Sequence, residues 1–106
     1  ALEVLNEFSD KRKIIVTPGM VELGEIEETE NEKLGENIAR ICDIAIIVGE
    51  KRSVPILRGL QKLNFNEKNI IIVNSLNEAS EILKSITRIN DVILFENDLP
   101  DTYDEK

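Results

Sequence analysis

The sequence predicts an α/β domain, a three-layer sandwich built on a mostly parallel, Rossmann-like sheet. Three observations carry this. Four short runs rich in β-branched residues, Lys13 to Thr17, Ile44 to Gly49, Asn69 to Asn74 and Asp91 to Glu96, are nearly continuously apolar, as strands covered on both faces of a parallel sheet are. Segments with helical periodicity separate them. The length, 106 residues, suffices for one compact domain with one core and not for two.

Each element has its own signal. Ala1 to Phe8 places apolar residues at helical spacing and reads as a helix that enters the first strand through the polar turn Ser9-Asp10-Lys11. After the strand Lys13 to Thr17 comes a helix with Leu34, Ile38 and Ile41 on one face. Thr29 with Glu32 fits a capping box at its start, in which the hydroxyl accepts from a first-turn amide and the carboxylate bonds back to the cap. The strand at Ile44 to Gly49 is followed by Ser53-Val54-Pro55, a second plausible start because Pro is tolerated where amides lack helical partners. Ile56, Leu57, Leu60 and Leu63 form that helix's apolar face. The third strand leads into Ser75 and Glu78, another capping box, with Ala79, Ile82, Leu83 and Ile86 sharing a face behind it. Strand, helix, strand, repeated, means βαβ units with right-handed crossovers. Asp101 to Lys106 reads as a solvated tail.

Composition narrows the function classes. With 42% hydrophobic and 32% charged residues the chain has the make-up of an ordinary globular domain. Its apolar runs are strand-sized, far below the roughly 20 residues that span a bilayer. The formal net charge of −8 argues against nucleic acid, whose binding draws on Lys and Arg. It also makes the chain a poor stand-alone binder of ATP. The N-terminus has no basic region and no small-residue cleavage site of a signal peptide. Its lack of an initiator Met suggests a piece of a larger protein. The single Cys42 rules out an internal disulfide and fits a reducing, cytoplasmic setting. With no His in the chain to act as its base, Cys42 is expected to be structural.

In open α/β sheets ligands sit beyond the carboxyl ends of the strands. That picks out Thr17 to Gly24, Gly49 to Ser53, Asn74 to Asn77 and Glu96 to Asp101. The first loop, Thr17-Pro18-Gly19-Met20-Val21-Glu22-Leu23-Gly24, is the least ordinary stretch. Two glycines and a proline fix an irregular path directly after a buried strand, where a backbone would approach a ligand closely. The alternative is a loop that merely turns and tucks Met20 and Leu23 into the core. It matches neither the dinucleotide nor the P-loop phosphate fingerprint. Glu22, Glu25, Glu27, Glu28, Glu30 and Glu32 lack a calcium-loop spacing, and helix-dipole stabilisation explains acids at a helix start more simply than a metal does. Glu96, Asn97, Asp98 and Asp101 form a second acidic group after the last strand, read equally as a polar loop or as a substrate contact.

Thr17 to Gly24, followed by Asn31-Glu32-Lys33-Leu34-Gly35-Glu36-Asn37-Ile38-Ala39, resembles the Gly-x-Met-x-Glu-Leu-Gly segment and succeeding helix of the Mur ligase family, in its D-alanyl-D-alanine-adding branch. Ala1 to Leu5 looks like the helix that follows the family's Asp-x-Tyr-Asn-x-Asn-Pro interdomain motif. The resemblance covers nearly the whole chain and implies the C-terminal domain of a three-domain, ADP-forming amide ligase. In such an enzyme ATP phosphorylates a carboxylate of a UDP-muramyl peptide, and an amine such as D-alanyl-D-alanine attacks the acyl phosphate. The resemblance further implies that ATP and Mg2+ are bound mainly by the other domains, with no cofactor in this piece. The implied partners are the central and N-terminal domains, the muramyl peptide and the amine, with a monomeric state expected and no membrane or nucleic acid. The candidate substrate-binding residues are then Gly19, Met20, Glu22, Gly24, Asn97 and Asp98, with no catalytic or metal-binding residue. The family's Lys-Gly-Ser-Arg type sequence after the last strand is here Phe95-Glu96-Asn97-Asp98-Leu99-Pro100-Asp101, and Asn31 stands where closer relatives tend to have His. Acid in place of base brings in the alternative of a Mur-ligase paralogue with another acceptor. A free-standing flavodoxin-like or receiver-like binding module is the alternative from a different class. A receiver would place acids at the end of its first strand, where Val16 and Thr17 stand, and aromatic content of 4% without Trp disfavours a flavin.

Overall fold

The computed structural model describes residue 7, residues 10–20 and residues 24–96, apart from the side chain of Arg52. The helix expected over Ala1 to Phe8, except Glu7, and the tail from Asp101 lie outside the described residues. Four strands form one sheet: β1 (Lys13–Thr17), β2 (Ile44–Val48), β3 (Ile70–Val73) and β4 (Val92–Phe95). They alternate with α1 (Glu27–Ile41), α2 (Glu50–Lys62) and α3 (Leu76–Ile86), with short 3-10 turns at Gly24–Ile26 and Glu67–Asn69. All four strands are parallel, in the order β3-β2-β1-β4.

The chain steps from β1 to β2 to β3 in one direction and then jumps back across to β4. A constant right-handed crossover puts helices on opposite faces for steps in opposite directions. The packing follows this rule. Leu34 and Ile38 of α1 and Ile56 and Leu60 of α2 bury Ile15, Ala45 and Ile47 on one face. Ala79 and Leu83 of α3 cover Ile44, Ile46, Val48 and Val73 on the other. The central strands are therefore buried at every position of β2 and at every position of β1 except Lys13. The outer strands are less covered, with Ile72 of β3 38% exposed and Phe95 of β4 48% exposed.

Two helix starts differ from expectation. α1 begins at Glu27, directly after the 3-10 turn, with Ile26 at the cap and no side-chain cap bond, so Thr29 lies inside the helix and forms no capping box with Glu32. α2 begins at Glu50 with Gly49 at its cap, at φ 104. Ser53 is thus a buried interior residue whose hydroxyl donates to Glu50 O at 2.6 Å, a back-bond that competes with its use as a cap. Pro55 sits inside α2 rather than at its first position. Leu63, expected on the apolar face, is the C-cap of α2 and 40% exposed. α3 starts as expected: Ser75 Oγ accepts from Glu78 N at 3.2 Å. Glu78 returns its carboxylate to Asn74 N, one residue before the cap, at 2.8 Å.

At the amino-terminal end of the sheet Arg12 ties β1 to the turn before β4. Its Nη2 donates to Asp91 Oδ2 and to Ile86 O, both at 2.6 Å, and Arg88 N donates to the same Asp91 oxygen at 2.8 Å. No helix among the described residues is long and apolar enough to cross a membrane.

Candidate functional site

Strand order reverses between β1 and β4, and in such sheets the crevice beyond the carboxyl ends of the two diverging strands is the usual ligand site. Register defines what lies there. Val16 pairs with Phe95, and Glu96 N donates to Val16 O at 2.9 Å, so Thr17 and Glu96 come next, side by side, as the strands end. Side-chain alternation puts Thr17 on the Ile15 face and Glu96 on the Leu94 face, which are the same face, under α1.

The loop leaving β1 is held from both sides. Gly19 N donates to Thr17 Oγ1 at 3.0 Å. Met20 N donates to Asn31 Oδ1 at 2.6 Å, and Asn31 Nδ2 donates to Met20 O at 2.9 Å. One carboxamide thereby satisfies both backbone groups of Met20, as a neighbouring strand would. Asn31 is 1% exposed, and its position on the stripe it shares with Leu34 and Ile38 explains why a polar side chain can be buried there. Gly19 has φ +82, and a Cβ on it would lie 2.8 Å from both Asn31 Oδ1 and Ile56 Cδ1. The loop therefore needs glycine for its conformation and for its contact with Asn31.

Gly19 and Met20 of the expected site are brought together in this pinned turn. Gly24 stands apart at the start of the 3-10 turn, exposed, with φ +64 and open space around its missing Cβ. Glu22, Asn97 and Asp98 lie outside the described residues. Gly49 to Ser53 is mostly the first turn of α2 rather than a loop. Asn31 is the residue the sequence reading did not place in the site. The available signal was an asparagine at the i, i+3, i+7 spacing of an otherwise apolar helix face.

The strand register brings one acidic residue, Glu96, to this edge. Glu96 is partly buried, and its Oε2 is buried without a hydrogen-bond partner. Such an oxygen is desolvated and unpaired, a state that a bound cation or water relieves. Four loop amides are engaged: Gly19 N by Thr17, Met20 N by Asn31, Gly49 N by Val73 O at 2.7 Å, and Asn74 N by Glu78, whereas the starts of α1 and α2 carry no side-chain cap bond. The glutamates at the head of α1 serve another purpose. Arg58 of α2 bonds to Glu28 and lies 3.3 Å from Glu32, while Lys62 bonds to Glu32 and lies 3.9 Å from Glu36. Hydrogen bonding to Lys62 is the main cause holding the Glu32 carboxyl below its ordinary pKa. Among the described residues no three His, Cys, Asp or Glu side chains converge as a metal site. Cys42 is buried where α1 ends, and burial pushes its thiol up to about 12, which fits the expected structural role and not a nucleophile.

The sequence matches no protein-family model, and no curated protein is similar to it.

Proposed function

We propose that this chain is the C-terminal lobe of an ATP-dependent, ADP-forming amide ligase of the Mur type, working in the cytoplasm on a peptidoglycan precursor. Its task is to place an amine acceptor, D-alanyl-D-alanine or a related amine, against the acyl phosphate of a UDP-muramyl peptide. The observation that supports this reading best is the pinned Gly19–Met20 turn beside Glu96, whose buried oxygen lacks a partner, at the point where strand order reverses. A carboxylate with one buried oxygen lacking a hydrogen-bond partner suits an ammonium group far better than a phosphate.

In this reading ATP and Mg2+ belong to the central domain. The turn after β1 is ill suited to a triphosphate, because the amides of Gly19 and Met20 are taken and Glu96 beyond β4 is acidic. No chemical step runs through these residues. The lobe contributes by alignment of the amine and exclusion of water from a hydrolysable intermediate. The same engaged amides weigh against a free-standing flavodoxin-like module, which would need them for a phosphate.

A coupled ADP-release assay on the full-length protein, run with UDP-muramyl tripeptide across a panel of amines, tests the reading. ADP release is expected to depend on both donor and amine, with D-alanyl-D-alanine the preferred acceptor. Glu96→Gln and Glu22→Gln are each expected to lower acceptor kcat/KM by about 1–3 kcal/mol, the range for losing a hydrogen bond to a charged group. Absence of amine-dependent ADP release across the whole panel overturns the proposal.

A further inference from the structure

We propose that the amino-terminal end of the sheet, opposite the crevice, carries an anion site in which Lys68 and Arg88 bind a phosphate monoester that has an apolar body. The chain has 21 acidic residues against 13 basic ones. Several described cations are already spent on carboxylates: Arg58 and Lys62 across the α1–α2 seam, Arg40 on Glu36, Lys33 on Glu30 and Lys84 on Glu81. Lys68 and Arg88 are exceptions, and neither side chain makes an ion pair with a described carboxylate. Lys68 precedes β3 and Arg88 precedes β4. Because all strands run parallel, both arrive at the same end of the sheet.

There they line a hollow of about 360 Å³ together with Arg12, Ser85 and Thr87, and no acidic residue lines it. A volume of this size is within the roughly 300–1,000 Å³ of small-molecule sites. Ile44 and Ile71 supply an apolar floor. Asp91 faces the adjoining hollow of about 380 Å³ instead. The hollow abuts the carboxyl end of α3, whose dipole would repel an anion. Arg12 offsets this by donating to Ile86 O, and Thr87 N covers Leu83 O at 2.9 Å. Arg12 is itself neutralised by Asp91, whose charge also attracts Arg88 without an ion pair, so Lys68 and Arg88 are the two cations of the hollow not held in an ion pair. Two such cations match the roughly −1.5 to −2 charge of a phosphate monoester at neutral pH. The Thr87 hydroxyl adds a donor, and the isoleucine floor accepts the ester's apolar part. This site stands independently of the ligase reading.

Titration of the chain with phenyl phosphate, inorganic phosphate and phenol, followed by amide chemical shifts, tests it. Phenyl phosphate is expected to shift Lys68, Ile71, Thr87 and Arg88 saturably, more tightly than inorganic phosphate, with phenol inert. The double variant Lys68→Ala/Arg88→Ala is expected to bind at least about tenfold more weakly while staying within about 2 °C of the parent's melting temperature, since both side chains are exposed and neither is held in an ion pair. The proposal is overturned by the absence of a saturable shift at these residues, by unchanged affinity in the double variant, or by phenol or inorganic phosphate binding as tightly as the ester.

Discussion

Gly59 of α2 lies against the main chain of α1 so closely that a Cβ on it would stand 2.0 Å from Glu32 O. The contact is reciprocal, since a Cβ on Gly35 of α1 would stand 2.1 Å from Ile56 O. Two glycines thus let the helices meet backbone to backbone, and the Arg58 and Lys62 bonds to Glu28 and Glu32 run along the same seam. A methyl group cannot be absorbed by moving a side chain here, because the obstruction is backbone. Gly59→Ala is expected to cost about 3 kcal/mol or more, the upper end for overpacking. The melting temperature followed by circular dichroism should fall by more than about 12 °C at the usual conversion for a domain of this size. A variant that melts with the parent would show that the seam is looser than described.

The two glycines of the first loop should behave differently. Gly24→Ala meets open space and carries only the left-handed backbone penalty of about 1–2 kcal/mol. Gly19→Ala carries the same penalty and in addition drives a methyl into Asn31 Oδ1 and Ile56 Cδ1. Denaturant midpoints should therefore rank parent, Gly24→Ala, Gly19→Ala. The reverse order of the two variants would count against the described turn.

Asn31→Ala removes both partners of Met20 and leaves an amide and a carbonyl unsatisfied, at about 1–3 kcal/mol for each buried group. Asn31→Asp restores the acceptor for Met20 N but offers no donor to Met20 O. Asn31→Ala should accelerate hydrogen exchange at the Met20 amide far more than Asn31→Asp does, and exchange at the parent's slow rate in Asn31→Ala would refute the clamp.

Asp91 has a carboxyl held below its ordinary range, chiefly by its hydrogen bond to Arg12 and against the opposing effect of desolvation. A depressed folded pKa means that the contribution is fully present above the unfolded value of about 3.9 and is lost as pH falls through the lower folded value. Asp91→Asn should therefore reduce stability by about 1.5–3 kcal/mol at neutral pH. The gap between parent and variant should close as the parent is acidified below the unfolded value. Melts at a series of pH values check both the size of the gap and where it closes.

Cys42 has its thiol raised to about 12, first by burial and then by the nearby negative charge of Asp43. A raised pKa stabilises the fold below the unfolded value of about 8.5 and is lost as pH climbs toward the folded one. At mildly alkaline pH a disulfide reagent should modify Cys42 far more slowly in the native protein than in urea, with the rate rising only as the protein unfolds. Native labelling as fast as that of a peptide thiol would contradict the burial.

What the sequence disclosed depended on how local each signal is. The strands were legible because a buried parallel strand must be apolar at successive positions, as Ile44–Val48 is, and no neighbouring segment has to be known to see it. The Ser75 cap was legible for the same reason. Thr29 and Ser53 carried equally good local signals and were misleading, because the turn at Gly24–Ile26 and the cap at Gly49 had already begun each helix upstream. Asn31 and Met20 stand 11 residues apart and Gly59 and Glu32 are on different helices. Their roles follow from how the chain folds back on itself, and a single sequence gives no local sign of that beyond a polar residue on an apolar stripe and glycines within helical periods.

Among the described residues β3, Ile-Ile-Ile-Val, is paired with β2 alone, so its outer side is an edge of backbone donors and acceptors flanked by greasy side chains. Such a border is a template for another strand. The net charge of −8 opposes the approach of two such borders by mutual repulsion. That repulsion vanishes near pH 4.6, the isoelectric point, and at molar salt it reaches only about 3 Å. Pairing along this border is accordingly a matter of buffer: it is favoured at the isoelectric point and in concentrated salt, and opposed in dilute neutral solution by the acidic surplus.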